Sequence, residues 1–355
     1  MRGLFFTGHG GPEKLVFGEL PEPRPGRDEV VVRLRASALN HLDLFVLRGL
    51  PGARVVLPHI GGADGAGTVA AVGEGVMGWR IGSEVVLNPG LWCGTCEACG
   101  CGEESLCAVF RLLGEHVDGT FAEYVKVPAV SLAPKPGHLS WYESAAFGLT
   151  FLTAWRMLMT RAGLKSGESV LIHGIGGGVA LAALTFAKLA GATVFATSSS
   201  EEKLARARKM GADHTINYTS TDVVGEIRRL TSRRGVDVVV ETVGQATWTS
   251  SLRCAAKGGR VVTCGATSGP SPTEEVRLIF WNQLSILGST MGSRRDWEAM
   301  VGAVEASHLR PVLDSVLPLD RGREAYERLA GGAHFGKIVL DIAGGADCAQ
   351  EKAGA

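Results

Sequence analysis

No stretch of this chain stays apolar for the ~20 residues that a membrane-spanning helix needs, so no such helix is expected. There is no excess charge of either sign: lysine plus arginine number 36, aspartate plus glutamate 36, and the formal net charge is zero. That balance gives no reason to expect nucleic acid or an anionic membrane as a partner. Internal repeats are absent, and low complexity is confined to the small, polar tail from Gly344 to Ala355. The start, Met1-Arg2-Gly3-Leu4-Phe5-Phe6, lacks a long apolar core and a small-residue cleavage site. It reads as a first strand and not as a signal peptide, so a cytoplasmic location is expected.

What is abundant is glycine, 49 in 355 residues, as in α/β enzymes whose tight turns let a backbone approach a nucleotide. Residues 1–147 read as β-rich, with Val-rich runs at Glu29–Arg35, Gly67–Val72, Glu84–Leu87 and Ala122–Val127 separated by Pro and Gly clusters. After Phe147 strands and helices alternate. Strands are expected at Ser169–His173, Thr193–Thr197, Thr215–Ile216, Val236–Glu241, Gly259–Cys264 and Ser285–Leu287. Helices are expected at Val179–Leu189, Glu201–Met210, Asp222–Thr231 and Thr247–Ala256. Such alternation means a parallel sheet covered on both faces, with its ligand at the carboxyl ends of the strands. A helix at Asp296–Ala306 and a strand at Lys337–Ile342 follow.

The first of these strands runs into Gly174-Ile175-Gly176-Gly177-Gly178-Val179-Ala180 and then a helix. The literal G-x-G-x-x-G string is not matched, and the last position falls on Ala180, which the fingerprint allows. A plain glycine-rich turn is the bland reading. In a βαβ series, such a turn is a cradle for pyrophosphate at a helix N-terminus. An NAD site carries an acid at the end of the second strand, for the ribose hydroxyls. Here that place holds Ser198, with Lys203 able to answer a 2′-phosphate and Tyr218 able to add a hydroxyl, so NADPH is expected over NADH. Glu201 and Glu202 speak against it unless they face solvent from the first helical turn.

Cys93, Cys96, Cys99 and Cys107 give C-x2-C-x2-C-x7-C, a spacing that lets four thiolates surround one zinc with no position left for substrate. Such an ion serves stability and not turnover. Cys101 is a competitor for Cys99, and a set of free thiols is the alternative.

Together, these features resemble the medium-chain dehydrogenase/reductase superfamily from residue 1 to about Ile342. Gly65-Ala66-Gly67-Thr68-Val69 and the ending Phe335-Gly336-Lys337-Ile338-Val339-Leu340 add to the likeness. The resemblance implies an α/β protein: a chaperonin-10-like, β-rich catalytic domain from 1–147 and 292–345, and a Rossmann doubly wound parallel-sheet domain from 148–291. A flexible tail at 346–355 would follow. It also implies an active site in the cleft between the domains and a homodimer or homotetramer, often joined near Ser285–Ser289. Thr150, Val243, Gly244, Cys264, Gly265 and Ala266 would line the nicotinamide, and Ser289 and Lys337 would approach the dinucleotide.

The zinc-dependent alcohol dehydrogenases of that superfamily hold a second, catalytic zinc, and this sequence departs at each ligand position. Asn40 stands for the first Cys, Ala63-Asp64 for His-Glu, Ala146 for the last ligand, and Leu42 for the proton-relay Ser or Thr. Without that Lewis acid, the arrangement suits hydride transfer from NADPH to an electrophilic small molecule, a quinone or an α,β-unsaturated carbonyl. The zinc-free quinone and enoyl reductases look similar here. Several carry a Tyr near the residue occupied by Pro51, which leaves the acid open. Asn40, His41 and Asp64 are the candidate catalytic residues, with Asp43 orienting the loop; His59 and His116 are weaker. Phe45, Trp92, Phe147 and Trp281 are candidates for an apolar pocket. Two other readings remain, a zinc-dependent alcohol dehydrogenase and an inactive NADPH-binding protein, and a metal site of His41, His59 and Asp64 is a separate alternative.

Overall fold

The computed structural model describes residues 1–50 and 55–344, so Pro51, Cys348 and the tail at 346–355 lie outside the described residues. The chain forms two units, one from Met1 to Leu149 and again from Ser293 on, the other from Thr150 to Gly292.

The first unit begins with the antiparallel pair β1 (Arg2–Phe6) and β2 (Leu15–Glu19). Next come β3 (Glu29–Ala38), α1 (His41–Arg48), β4 (His59–Ile60), β5 (Asp64–Val72), β6 (Glu84–Leu87) and β7 (Gly90–Leu91). The cysteine loop carries the short α2 (Glu97–Gly100), followed by β8 (Arg111–Leu112), β9 (Tyr124–Pro128), β10 (Leu132–Pro134) and α3 (Trp141–Ala145). Helix α4 follows at Gly148–Trp155.

The second unit alternates β11 (Ser169–Ile172), α5 (Gly178–Leu189), β12 (Thr193–Ser198), α6 (Glu201–Lys209), β13 (His214–Asn217), α7 (Val223–Leu230) and β14 (Val236–Glu241). It continues with α8 (Trp248–Cys254), β15 (Ala255–Thr263), α9 (Val276–Asn282) and β16 (Ser285–Gly288). Returning to the first unit, the chain adds α10 (Arg294–Ala306), β17 (Leu313–Pro318), α11 (Gly322–Ala330) and β18 (Lys337–Asp341).

The six strands of the second unit are all parallel, in the order β13-β12-β11-β14-β15-β16. That is the doubly wound order, and β11 and β14 flank its switch point. Val238, Val239 and Val240 are buried on both faces, as parallel strands under two layers of helix require. Where Thr247–Ala256 reads as one helix, α8 stops at Cys254 and β15 starts at Ala255. Ala255 pairs with Val236 before the register shifts.

In the first unit the main sheet runs β10-β6-β5-β3-β18-β17, with β9 also on β3. β3 extends to Ala38 and β5 back to Asp64, past the bounds the Val-rich runs suggest. The small residues there serve close approach: a Cβ on Gly67 would lie 2.1 Å from the Arg33 carbonyl oxygen. The register sets Ala38 opposite Asp64 on one side and opposite Val339 on the other. Three neighbouring strands thus bring Asn40, Asp64 and Lys337 to one end of the sheet.

Candidate active site

Asp64 is fully buried, and Asn40 and Lys337 are each 5% exposed. The Lys337 ammonium donates to Asn40 Oδ1 at 2.6 Å and to Asp64 Oδ2 at 2.8 Å. Asn40 Nδ2 donates to the same Asp64 oxygen at 3.0 Å, and Leu149 N donates to Asp64 Oδ1 at 2.6 Å. The Asp64 carbonyl accepts from Ser37 and Thr120 hydroxyls at 2.6 and 2.7 Å, which fixes the strand end from behind. A buried carboxylate with three donors and a buried ammonium with two acceptors are tolerable only as a pair.

Asp43 orients the loop, as its place in the sequence suggests: its carboxylate accepts from Asn40 N (2.7 Å) and Gly62 N (3.1 Å). Burial pushes Asp43 up to about 7. His41, the first residue of α1, is exposed and shares no hydrogen bond with the Asn40–Asp64–Lys337 set; its ring centroid lies 6.1 Å from His334. Partial desolvation, then the charges of Lys337 and Arg48, hold its pKa below the ordinary value, so it is neutral at pH 7. His59 donates from Nε2 to the Gly114 carbonyl, and His116 Nδ1 accepts from Leu112 N, both structural bonds.

The aromatics divide. Phe147 is a core residue stacked on Trp297, with centroids 6.2 Å apart, and no pocket wall. Trp281 is 74% exposed on α9, and Phe45 and Trp92 are half-buried.

In the second unit the turn Gly174–Gly177 joins β11 to α5, with Gly177 as N-cap and Gly178 the first helical residue. Gly174 at φ +65° and Gly176 at φ +129° need the freedom of glycine. A Cβ on Gly177 would meet nothing within 4 Å, so the face of the turn has room for a ligand on the helix N-terminus formed by Gly178 and Val179. Ile175 is buried and donates its N–H to the Thr197 carbonyl at 2.8 Å.

Ser198 ends β12, and its hydroxyl accepts from Ser200 N at 3.2 Å. Tyr218 N donates to the Ser198 carbonyl at 3.2 Å and the Tyr218 side chain is 52% exposed, so these two residues are neighbours. Lys203 is half-buried in the first turn of α6. Glu201 accepts from Asn217 Nδ2 at 2.8 Å and Glu202 is exposed, so no acid occupies the strand tip itself.

Thr150 Oγ1 and Ser289 Oγ are buried without a protein partner, two orphaned hydroxyls of the kind a polar ligand satisfies. Val243 and Gly244 follow β14, and Cys264, Gly265 and Ala266 follow β15. The Ser268 hydroxyl ties these loops together, donating to Val243 O at 2.7 Å and accepting from Ala246 N at 2.9 Å. Glu241 escaped the sequence reading: it gathers this region on one buried carboxylate, and the clue is an acid closing an otherwise all-apolar strand end.

The cysteine loop gathers the sulfurs of Cys93, Cys96, Cys99 and Cys107 within 4.8 Å of one another. Cys93 Sγ accepts from Thr95 N at 3.4 Å and Cys96 N at 3.3 Å, and Cys107 Sγ accepts from Cys93 N at 3.4 Å. Backbone donors aimed at sulfur fit thiolates around an ion, and the cluster can hold one metal. Cys101 stands outside the set. Among the described residues no other group of His, Cys, Asp or Glu comes together this way, and His41, His59 and Asp64 do not.

Comparison with known proteins places these features. Residues 26–137 match the alcohol dehydrogenase GroES-like domain, and 178–306 the zinc-binding dehydrogenase family. A zinc-type alcohol dehydrogenase-like protein of Schizosaccharomyces pombe is 38% identical over 91% of this chain and 93% of its own. An acryloyl-coenzyme A reductase of Sulfurisphaera tokodaii is 32% identical, covering 91% and 95%. A crystallised NAD-dependent alcohol dehydrogenase is 48% identical with a TM-score of 0.93, covering 96% of this chain and 100% of that one.

Proposed function

This chain belongs to the medium-chain dehydrogenase/reductase superfamily and is an oxidoreductase, and we propose that it works with NADPH and without a catalytic zinc. Its acceptor is an already electrophilic carbon, in a quinone or an α,β-unsaturated carbonyl, and its one zinc is structural, in Cys93, Cys96, Cys99 and Cys107.

The observation that carries this reading is the buried Lys337 ammonium between Asn40 and Asp64. A divalent ion there would meet a resident cation and a single carboxylate. Ala63 and Ala146, buried at the positions the zinc enzymes fill with ligands, donate nothing. The protein's own cation takes the electrostatic part instead. An ammonium has three protons, and two go to Asn40 and Asp64. We assign the third to the oxygen of the acceptor, where it steadies the negative charge that grows as hydride arrives at carbon. When bound, a nicotinamide dinucleotide would supply the hydride. The acryloyl-coenzyme A reductase relative supports the enone half of this reading.

The preference for NADPH rests on Ser198, Lys203 and Tyr218 with no acid at the tip of β12. Ser198→Asp sets a carboxylate against the 2′-phosphate, and like-charge contacts cost several kcal/mol. The ratio of kcat/KM for NADPH to that for NADH is therefore expected to fall about a hundredfold. An unchanged ratio would show that the 2′-phosphate is read elsewhere.

A homodimer or homotetramer also belongs to this reading. β16 is a sheet edge, and Phe280 and Trp281 of α9 are 61% and 74% exposed.

The deciding assay mixes the protein with NADPH or NADH and a panel of quinones and enones, and follows loss of the reduced nicotinamide. Oxidation of NADPH by at least one acceptor, insensitive to a mild chelator, is expected. Tight NADPH binding with no oxidation by any acceptor would make this a binding protein. Oxidation of simple alcohols that stops with a mild chelator would make it a zinc alcohol dehydrogenase.

A further inference from the structure

Beneath the strand ends of the second unit lies a chain of buried polar side chains that the proposed chemistry does not use. Glu241 and Ser251 are fully buried and His173 is 3% exposed. Glu241 Oε1 accepts from Val243 N (2.7 Å), Gly244 N (2.9 Å) and the Thr247 hydroxyl (2.9 Å). Its Oε2 accepts from Ser251 Oγ at 2.5 Å.

The direction of the remaining bonds follows from proton counting. Ser251 has one hydroxyl proton, and it goes to Glu241. The 3.0 Å contact between Ser251 Oγ and His173 Nε2 must then be donated by the ring. Burial holds His173 below its ordinary pKa, so the ring is neutral and Nδ1 carries no proton. Nδ1 faces Thr197 Oγ1 at 3.4 Å, and that same hydroxyl accepts from Gly174 N at 3.3 Å. Every bond therefore runs one way: Gly174 to Thr197, Thr197 to His173, His173 to Ser251, Ser251 to Glu241.

The links lie on four segments: His173 and Gly174 open the glycine turn that follows β11, Thr197 is on β12, Ser251 on α8, and Glu241 on β14. We propose that this directed chain positions the dinucleotide, locking the glycine turn and the loop after β14 into one register so that a ligand touching both meets a preset spacing. His173, Ser251 and Glu241 are positioning residues. An apolar filling would satisfy the core equally well, whereas a buried polar network specifies one arrangement of the backbone groups that end in it. Those groups are Gly174 N, Val243 N and Gly244 N, at the carboxyl ends where such sheets bind their ligands. The inference rests on the dinucleotide reading of the second unit.

The test variant is Ser251→Ala, which removes one oxygen and with it the bond to Glu241 and the bond from His173, and leaves the other donors on Glu241 in place. Titration of the full-length protein should show the Kd for NADPH rising about tenfold, since the two lost bonds free the turn and the loop to shift apart. For 2′-phospho-ADP-ribose, which lacks the nicotinamide, the rise should stay under about twofold, because only the register between the two loops has changed. Nitrogen-15 spectra of the ligand-free wild type should show His173 as the neutral Nε2–H tautomer, a readout independent of any variant's folding. An imidazolium or Nδ1–H ring, unchanged NADPH binding, or equal losses for both ligands with a lowered denaturant midpoint would overturn the proposal. Wild-type protein that binds neither ligand would instead remove the dinucleotide reading itself.

Discussion

Lys337→Met should lower kcat about 10²–10³-fold, the cost of losing one preorganised donor at a developing oxyanion. The same change strands the fully buried Asp64 carboxylate, and breaking a buried pair from one side costs about 3–5 kcal/mol of stability. These two losses have different causes and separate in a second variant. Lys337→Met with Asp64→Leu removes both charges, so much of the stability should return while kcat stays low. Urea midpoints on the wild type and both variants, with steady-state kinetics on the same samples, would check this. NADPH affinity gives the contrary outcome: a large rise in its Kd with kcat retained would mean that Lys337 holds the dinucleotide and not the substrate oxygen. Asp64→Asn is informative beside them. Its amide keeps one acceptor oxygen where the carboxylate has two, so Leu149 N and the ammonium can no longer both be met, and the seat of Lys337 is weakened.

Removing the ion from the cysteine loop should act on stability alone. Elemental analysis should find one zinc per chain, and Cys107→Ser should find none. Four thiolates close the coordination sphere, so no substrate reaches the ion. Zinc-finger peptides owe about 10–16 kcal/mol to their zinc. Only one loop depends on it here, so the loss should be several kcal/mol, seen as a lower Tm. Turnover measured well below that Tm should be close to wild type. Two zincs per chain, with activity falling in step with the first one removed, would reverse the assignment and restore a catalytic metal. Cys101→Ser should change neither metal content nor Tm, since Cys101 stands outside the cluster.

Much of this was legible in the residues themselves. The strand–helix alternation after residue 147 specifies a parallel sheet because each strand is a short apolar run and each helix a longer periodic one. The cysteine spacing specifies its own cluster because all four sulfurs come from one loop, with no help needed from distant chain. Other elements were illegible for equally physical reasons. β5 begins at Asp64-Gly65-Ala66-Gly67, residues with little strand propensity, and only cross-strand pairing with β3 makes them a strand. The π-helical turn Arg156–Arg161 continues directly from α4, and no residue marks the change of hydrogen-bond pattern.

The chain by itself determined its architecture, its glycine turn and its cysteine cluster, since each of these is a local pattern or a single residue type. Tertiary structure alone decided that Lys337, 273 residues from Asp64, is the cation at the strand ends, and that Phe147 belongs to the core. It also decided that Glu241 gathers the loop after β14 and anchors a chain reaching to Gly174. The reason is that charge pairing and buried hydrogen bonding are properties of neighbours in space. Sequence separation carries no record of which buried donor will face which acceptor until the sheet register has placed them.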